Sequence, residues 1–178
     1  MPNWCENDLR IKADANTMNH IKEFIGLARD EPTFDFNTLI PYPEPWASMD
    51  KECPGILRDN PGALSMDEYE LKWHTRSDGY NAGGYHWCCD NWGTKWNACD
   101  VSVEEVNDST IIIHFDTAWG PPEPIIKKLM LEFPRARMRL NYYEGGCAFK
   151  GTIASAPTRD GPPHITESSS TYRGRRGG

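Results

Sequence analysis

Residues 110–133 read TIIIHFDTAWGPPEPIIKKLMLEF and contain the two patterns that decide the fold. Ile111, Ile113 and Phe115 are two residues apart, so they share one face of a predicted strand. Three prolines follow, and then apolar residues recur at helical spacing; proline is tolerated in the first turn of a helix. The stretch therefore predicts a half-buried strand that leads into an amphipathic helix.

The segments on either side of this stretch predict three more strands. Upstream, valines alternate with polar residues over 101–104, and an Asn-Asp turn at 107–108 follows them. Downstream, apolar and polar residues alternate over 137–142, and a Glu-Gly-Gly turn at 144–146 leads into 147–153. Together these segments predict the order strand, strand, helix, strand, strand.

The amino-terminal part predicts a second unit of the same kind. Residues 8–12, DLRIK, alternate as a strand does, and Asp14 or Thr17 can cap a helix whose apolar stripe runs over 18–28. Residues 33–40, TFDFNTLI, are predicted to form the next strand, which ends at a series of prolines. The pattern over this part is therefore strand, helix, strand.

This order predicts an α+β fold, the ferredoxin-like sandwich: an antiparallel sheet with two helices on one face, one extra strand and a long insertion. We expect the domain to span residues 1–153 and the insertion to span 46–97, where periodicity is lost and tryptophan is frequent. Residues 154–178 are rich in Ser, Gly, Pro and Arg and are predicted to be a disordered tail.

Composition narrows the classes of function. The chain has 178 residues, a formal net charge of -7 and an apolar fraction of 38%, which is compatible with a packed core. It has neither a signal-peptide pattern nor an apolar run long enough to cross a bilayer, so we expect a soluble cytoplasmic protein. The negative charge argues against a dominant nucleic-acid partner.

The six cysteines do not form a metal-binding or disulfide pattern. They are scattered and include no CxxC pair, so we expect reduced thiols, no structural metal and no cofactor. A zinc site made by His74, His86 and Cys88 with Cys53 is the alternative to buried, inert thiols.

Four aromatic motifs occur in a characteristic order: MPNWCEND at the start, NWGTKWNA in the centre, FDTAWGPP later, and YYEGG near the end. With these motifs, residues 1–153 resemble the YubB ferredoxin-like domain family, also described as ferredoxin-like domains of Api-like phage proteins. The resemblance implies a ferredoxin-like fold and an origin on a phage or plasmid. It implies no reaction, because the family is largely uncharacterised.

The tryptophan-rich stretch WCCDNWGTKWNA at residues 87–98 has two interpretations. In one, it forms a secondary core that fastens the insertion to the sandwich, with Trp92 and Trp96 buried against Trp4 and Trp119. In the other, it forms a ligand pocket, for example for a nucleotide signal. The residues of that candidate pocket are Asn3, Trp4, Asn91, Trp92, Thr94, Lys95, Trp96, Asn97, Asp116 and Trp119.

The open face of the predicted sheet is a second candidate site. Its mixture of charges suits a protein contact better than RNA stacking, for which only Tyr143 qualifies on the central strands. The candidate residues are Arg10, Glu104, His114, Arg139 and Tyr143. His114 beside Asp116 could act as a general base, but a plain surface histidine is the simpler interpretation.

We therefore expect a small acidic accessory protein that acts by binding rather than by catalysis. The most specific hypothesis is inhibition of a host defence system through contact with a host or phage protein, in the cytoplasm of the bacterial host. The alternatives are binding of a nucleotide or signal molecule, an RNA-binding module, and an uncharacterised hydrolase. No membrane partner is expected, and the sequence does not determine the oligomeric state.

Overall fold

The computed structural model of the chain describes residues 3–28, 33–52 and 78–172. The chain divides into two compact units, one made of Met1–Pro41 with Asp90–Gly178 and the other of Tyr42–Cys89. In the described parts of both units, no helix is at once long and apolar enough to cross a membrane.

The first unit is built on a six-stranded sheet in which every neighbouring pair of strands is antiparallel. Its strands are β1 (Trp4–Lys12), β2 (Cys99–Asn107), β3 (Thr110–Ala118), β4 (Arg137–Glu144), β5 (Phe149–Ala156) and β6 (His164–Thr171). They lie in the order β2-β3-β1-β4-β5-β6. The first four of these strands have the order of a split β-α-β fold, and β5 and β6 extend it at one edge.

Four α-helices lie in the described residues: α1 (Ala15–Phe24), α2 (Glu44–Glu52), α3 (Tyr85–Trp92) and α4 (Glu123–Glu132). Asp14 caps α1, because its carboxylate accepts the Thr17 backbone N–H at 3.0 Å and the Thr17 hydroxyl at 2.7 Å. Pro124 lies in the first turn of α4, where the missing N–H costs nothing. Both local features agree with the sequence prediction.

The sheet has one buried face and one exposed face. Along β1, buried and exposed residues alternate without exception, and along β4 they alternate in the same way. The buried apolar residues of these strands and of β3 are joined in the core by apolar residues of α1 and α4. The core includes Leu9, Ile11, Met18, Ile21, Ile111, Ile113, Phe115, Ile125, Ile126, Leu129, Met138 and Leu140.

The strand predicted at residues 33–40 is wrong, because this segment contains a short 3₁₀ helix, Phe36–Thr38. Phe34 and Phe36 are both buried, and this spacing of two imitates the pattern of a strand. Side chains, and not a neighbouring strand, accept the backbone hydrogen bonds of this segment. The Asp35 carboxylate accepts the Asn37 N–H at 3.0 Å, and the Asn97 side-chain oxygen accepts the Phe36 N–H at 2.9 Å.

The disordered tail predicted from residue 154 is contradicted by β6, which pairs with β5 along its whole length. This strand lies at the edge of the sheet, and almost all of its side chains are exposed, so no apolar alternation marks it in the sequence. Lys127 of α4 forms an ion pair with Glu167 of β6 at 2.9 Å. Only residues 173–178 of the predicted tail lie outside the described residues.

The second unit is described over residues 42–52 and 78–89. It contains α2, a π-helical turn at Tyr80–Gly84 and the first residues of α3. Tyr42, Trp46 and Trp87 pack their rings together at centroid distances of 5.7–6.4 Å. All three residues of this aromatic cluster are half-buried. Cys53 and His74 of the alternative zinc site fall outside the described residues.

Candidate binding surface

Four residues from three segments form an exposed cluster, which we call the tryptophan surface: Trp4, Lys95, Trp96 and Trp119. Trp4 begins β1, Trp119 follows β3, and the other two residues follow α3. The Trp119 N–H donates to the Asn3 carbonyl oxygen at 2.9 Å, which holds the first and third segments together.

The lysine of the tryptophan surface lies between two indole rings. The Lys95 Nζ atom is 4.1 Å from the centroid of Trp96 and 4.0 Å from that of Trp119. The Trp4 and Trp96 rings are tilted at 49° with centroids 6.1 Å apart. These are cation–π and aromatic contacts, which stabilise the arrangement of the four side chains.

The three tryptophans remain accessible to solvent, with exposed fractions of 37% for Trp4, 38% for Trp96 and 47% for Trp119. The prediction that Trp96 is buried is therefore wrong. The reason is that Trp4 lies on the exposed face of β1 and Trp119 is itself exposed, so stacking on them does not exclude water from the outer ring faces.

Trp92 has a different role, because it is 5% exposed and belongs to the core. Its ring packs edge-on against Phe36 at 5.8 Å, and its indole N–H donates to the Ile40 carbonyl oxygen at 2.8 Å. The predicted burial of Trp92 is confirmed, but among the described residues its ring packs against Phe36 and not against the predicted Trp4 and Trp119.

A tight turn positions the Lys95-Trp96 pair. Gly93 has φ +78°, and a Cβ atom on it would lie 2.9 Å from the Pro124 Cδ atom. Thr94 is buried, and its hydroxyl donates to the Ala118 carbonyl oxygen at 2.9 Å. The Gly-Thr sequence thus anchors the loop to the end of β3 and to the start of α4.

The polar residues of the predicted pocket do not converge on the tryptophan surface. Both polar atoms of the Asn97 side chain are used locally, toward the Phe36 backbone and toward the Asp35 carboxylate at 2.8 Å. Asn91 is half-buried and Asn3 is exposed. Asn97 therefore stabilises the 3₁₀ segment.

Acidic residues of the exposed face lie next to the tryptophan surface. Glu6 is the cross-strand partner of Asp116, and Glu6 is two residues along β1 from Trp4. Burial, together with the charges of Glu6 and Asp100, raises the pKa of the Asp116 carboxyl above its usual value. Within the described residues Asp116 forms no ion pair with Lys95.

At the centre of the exposed face, His114 lies between two carboxylates. The His114 Nδ1 atom is 2.5 Å from Asp8, and its Nε2 atom is 3.7 Å from Glu104. Neither contact involves Asp116, the residue proposed to assist His114 as a general base. A histidine held between two exposed carboxylates is typical of a surface ion-pair network.

The far end of the same face carries four cations, of which only Arg10 and Arg139 are among the predicted binding residues. Arg10 and Arg139 are cross-strand partners on β1 and β4, and so are Lys12 and Arg137. They line a cavity of about 460 Å³ together with His164 of β6. The signal that could have identified this array is the spacing of two between cations on each strand, at 10 and 12 and at 137 and 139.

Tyr143 stacks nearly parallel on Tyr172, with an interplanar angle of 20° and centroids 5.0 Å apart. Tyr143 is 43% exposed, as predicted for the open face. The stack covers one face of its ring with another residue of the chain, so the area left for a nucleobase is reduced.

Two of the described cysteines, Cys5 and Cys88, are poor candidates for thiolate chemistry. Cys5, Cys88, Cys89, Cys99 and Cys147 carry free thiols. Burial raises the pKa of Cys5 and that of Cys88 to about 12, so these thiols stay protonated at neutral pH. Within the described residues no group of three or more His, Cys, Asp or Glu side chains is arranged to hold a metal ion.

Comparison with known proteins identifies the fold. Residues 91–160 match the family model described as the ferredoxin-like domain in Api92-like protein. The crystal structure of the protein api92 from Yersinia pseudotuberculosis is similar with a TM-score of 0.51 and 10% sequence identity, over 91% of this chain and 100% of that chain. No curated protein matches the chain. These similarities confirm a ferredoxin-like α+β domain similar to that of Api92-like proteins.

Proposed function

We propose that the chain is a binding protein that contacts a partner protein through the tryptophan surface. The observation that carries this proposal is the cluster of three exposed indoles, two of which contact the Lys95 ammonium group. Exposed apolar clusters of this kind are uncommon on proteins that act alone, and they mark interaction sites. Tryptophan is also the residue most enriched among those that dominate binding energy at protein interfaces.

The tryptophan surface is organised before any partner arrives. Gly93 and Thr94 fix the loop, and Lys95 separates two of the rings. Such preorganisation lowers the conformational entropy lost on binding, because the large side chains already occupy one arrangement. In this proposal α1 and α4 cover the buried face of the sheet, and the opposite face is the one that meets the partner.

The neighbouring charges indicate the chemistry of the partner. Glu6 and Asp116 lie next to the tryptophan surface, and Asp100 lies near Asp116. Within the described residues none of the three forms an ion pair. A partner with a basic surface and apolar pockets would complement this arrangement. The overall net charge of -7 would speed the encounter with such a surface.

The partner that best suits these features is a host protein with a basic, nucleic-acid-facing surface. We propose that the chain is a phage or plasmid accessory protein that inhibits a host defence system in the bacterial cytoplasm by covering that surface. The support for this origin is the resemblance of the four aromatic motifs to the YubB ferredoxin-like domain family. The support for the mode of action is the combination of acidic and aromatic residues on one surface.

The test uses Trp96→Ser with Trp119→Ser, and its matched control is Leu131→Ser, an exposed apolar residue on α4. Each protein is produced in a panel of bacterial strains that carry defined defence systems, and the efficiency of phage plating is measured. We expect the natural chain and the control to restore plating in one strain, and the double variant to fail while it remains folded. Equal restoration by the double variant would contradict the role of the tryptophan surface.

RNA binding remains the second candidate, because Tyr143 is exposed on the sheet face and Lys150 is its cross-strand neighbour. This second hypothesis predicts that RNA affinity falls steeply with salt concentration and that Tyr143→Ala abolishes RNA binding. A nucleotide pocket at the tryptophans has less support, since Lys95 occupies the space between two of the rings.

A further inference from the structure

We propose that the cavity lined by Arg10, Lys12, Arg137, Arg139 and His164, which we call the basic groove, binds a compact anion with two or more phosphate groups. This site lies at the opposite end of β1 from the tryptophan surface, and its function is independent of the partner proposed above.

The basic groove contains a two-by-two array of cations. Arg10 lies directly opposite Arg139, and Lys12 lies directly opposite Arg137. Neighbouring strands are about 5 Å apart, and alternate residues on one strand are about 7 Å apart, so four positive charges share a small area. Like charges directly opposite one another destabilise a sheet, so a bound anion would stabilise an arrangement of two such pairs.

No carboxylate of the described residues neutralises these four side chains through an ion pair. On the β3 side, Arg10 is paired with Ile112 and Lys12 with Thr110, neither of which is charged. The nearest acid along that row, Glu104, lies one strand further away and contacts His114. The charges of the array are therefore available to a ligand.

The shape of the groove follows from small residues on β5. Ala154 is the cross-strand partner of Arg139, and Ala156 is that of His164. These short side chains form a low floor between the arginines of β4 and the residues of β6. The resulting cavity of about 460 Å³ lies in the range typical of small-ligand sites.

The lining selects for phosphate groups rather than for bases. Arginine forms paired, charge-assisted hydrogen bonds to phosphate oxygens. Among the described residues of the lining, His164 carries the one aromatic ring, so the groove offers little area on which a nucleobase could stack. A diphosphate or triphosphate group meets several cations of the array at once, whereas a single phosphate meets fewer.

The test is isothermal titration of the full chain with three probes: inorganic pyrophosphate, a nucleoside triphosphate and a single-stranded oligonucleotide without terminal phosphates. The variant is Arg10→Glu, which replaces a like-charge pair with an opposite-charge pair and so should not lower the unfolding midpoint. Its control is Lys150→Glu, the same charge change on the same face, about 13 Å along β5 from Ala154.

We expect pyrophosphate and the nucleoside triphosphate to bind the natural chain, and Arg10→Glu to weaken both by roughly tenfold or more. Lys150→Glu should leave both affinities nearly unchanged. Three results would overturn the proposal: no binding of pyrophosphate, equal weakening by both variants, or binding of the oligonucleotide alone, which would assign the groove to a nucleic-acid backbone.

Discussion

At the scale of single residues, two tryptophans four positions apart have opposite roles. Trp92 completes the core against Phe36, and its indole N–H is satisfied by the Ile40 carbonyl oxygen. Trp96 leaves its outer face in solvent and holds Lys95. The two residues look equivalent in the sequence because both are apolar and both flank the same Gly-Thr turn.

Truncation should separate these roles. Trp92→Ala should lower the free energy of unfolding by about 3–5 kcal/mol, since it removes a buried aromatic ring and leaves a cavity. Trp96→Ala should cost no more than about 1–2 kcal/mol, because the ring is already partly hydrated. Urea denaturation of both variants measures the difference. Equal losses would show that Trp96 is part of the core.

Gly93 gives a second prediction, since its φ of +78° is unfavourable for any residue with a Cβ atom. Gly93→Ala should cost about 1–3 kcal/mol, because the new methyl group must also displace Pro124. The matched control is Gly120→Ala, where a Cβ atom meets no neighbour within 4 Å. Chemical denaturation of the pair tests the claim, and a neutral Gly93→Ala would contradict it.

At the scale of secondary-structure elements, β6 is the strand that local pattern could not predict. Its residues read HITESSST, and burial does not alternate along it because both faces are mostly exposed. Its stability comes from the ladder with β5 and from the ion pair between Lys127 and Glu167. The 3₁₀ segment near Phe36 shows the converse: its apolar residues alternate as in a strand, but the segment forms a short 3₁₀ helix.

Removal of residues 157–178 should therefore destabilise the domain, contrary to the expectation for a disordered tail. The truncation leaves the β5 backbone unpaired at the edge of the sheet, which also favours aggregation. We expect a fall in Tm of several degrees and a larger scattering signal on heating. A shorter truncation of residues 173–178 is the control, and equal Tm values for the two truncations would show that β6 contributes nothing.

At the scale of the whole molecule, the exposed sheet face has opposite charges at its two ends. Glu6 and Asp116 lie near the tryptophans, whereas Arg10 and Arg139 lie at the basic groove. The net charge of -7 conceals this separation, because it sums over the whole surface. A small acidic protein can therefore present an acidic aromatic surface to a partner and a basic groove to an anion.

Global stability should fall in alkaline solution because of buried thiols. The pKa of Cys5 and that of Cys88 are raised in the folded chain to about 12, from an ordinary value of 9.0. A raised pKa means that the folded state binds the proton more tightly, so this stability is present below pH 9 and is lost as pH rises toward 12. Urea unfolding across this range should show a declining midpoint, and Cys5→Ser should reduce the slope. An unchanged slope would contradict the assignment to Cys5.

The sequence alone determined the elements in which buried side chains recur at the spacing of a strand or of a helix. Strands β1, β3 and β4 and helices α1 and α4 each bury one face, and burial imposes a period of two or 3.6 residues. The antiparallel sheet and the ferredoxin-like class follow from the order of these elements.

Tertiary structure alone decided the placement of groups whose partners are distant in the chain. Examples are the edge strand β6, the side-chain hydrogen bonds of Asn97, and the four cations that β1 and β4 bring into one groove. Cross-strand neighbours 129 residues apart, such as Arg10 and Arg139, leave no local periodicity that records their contact.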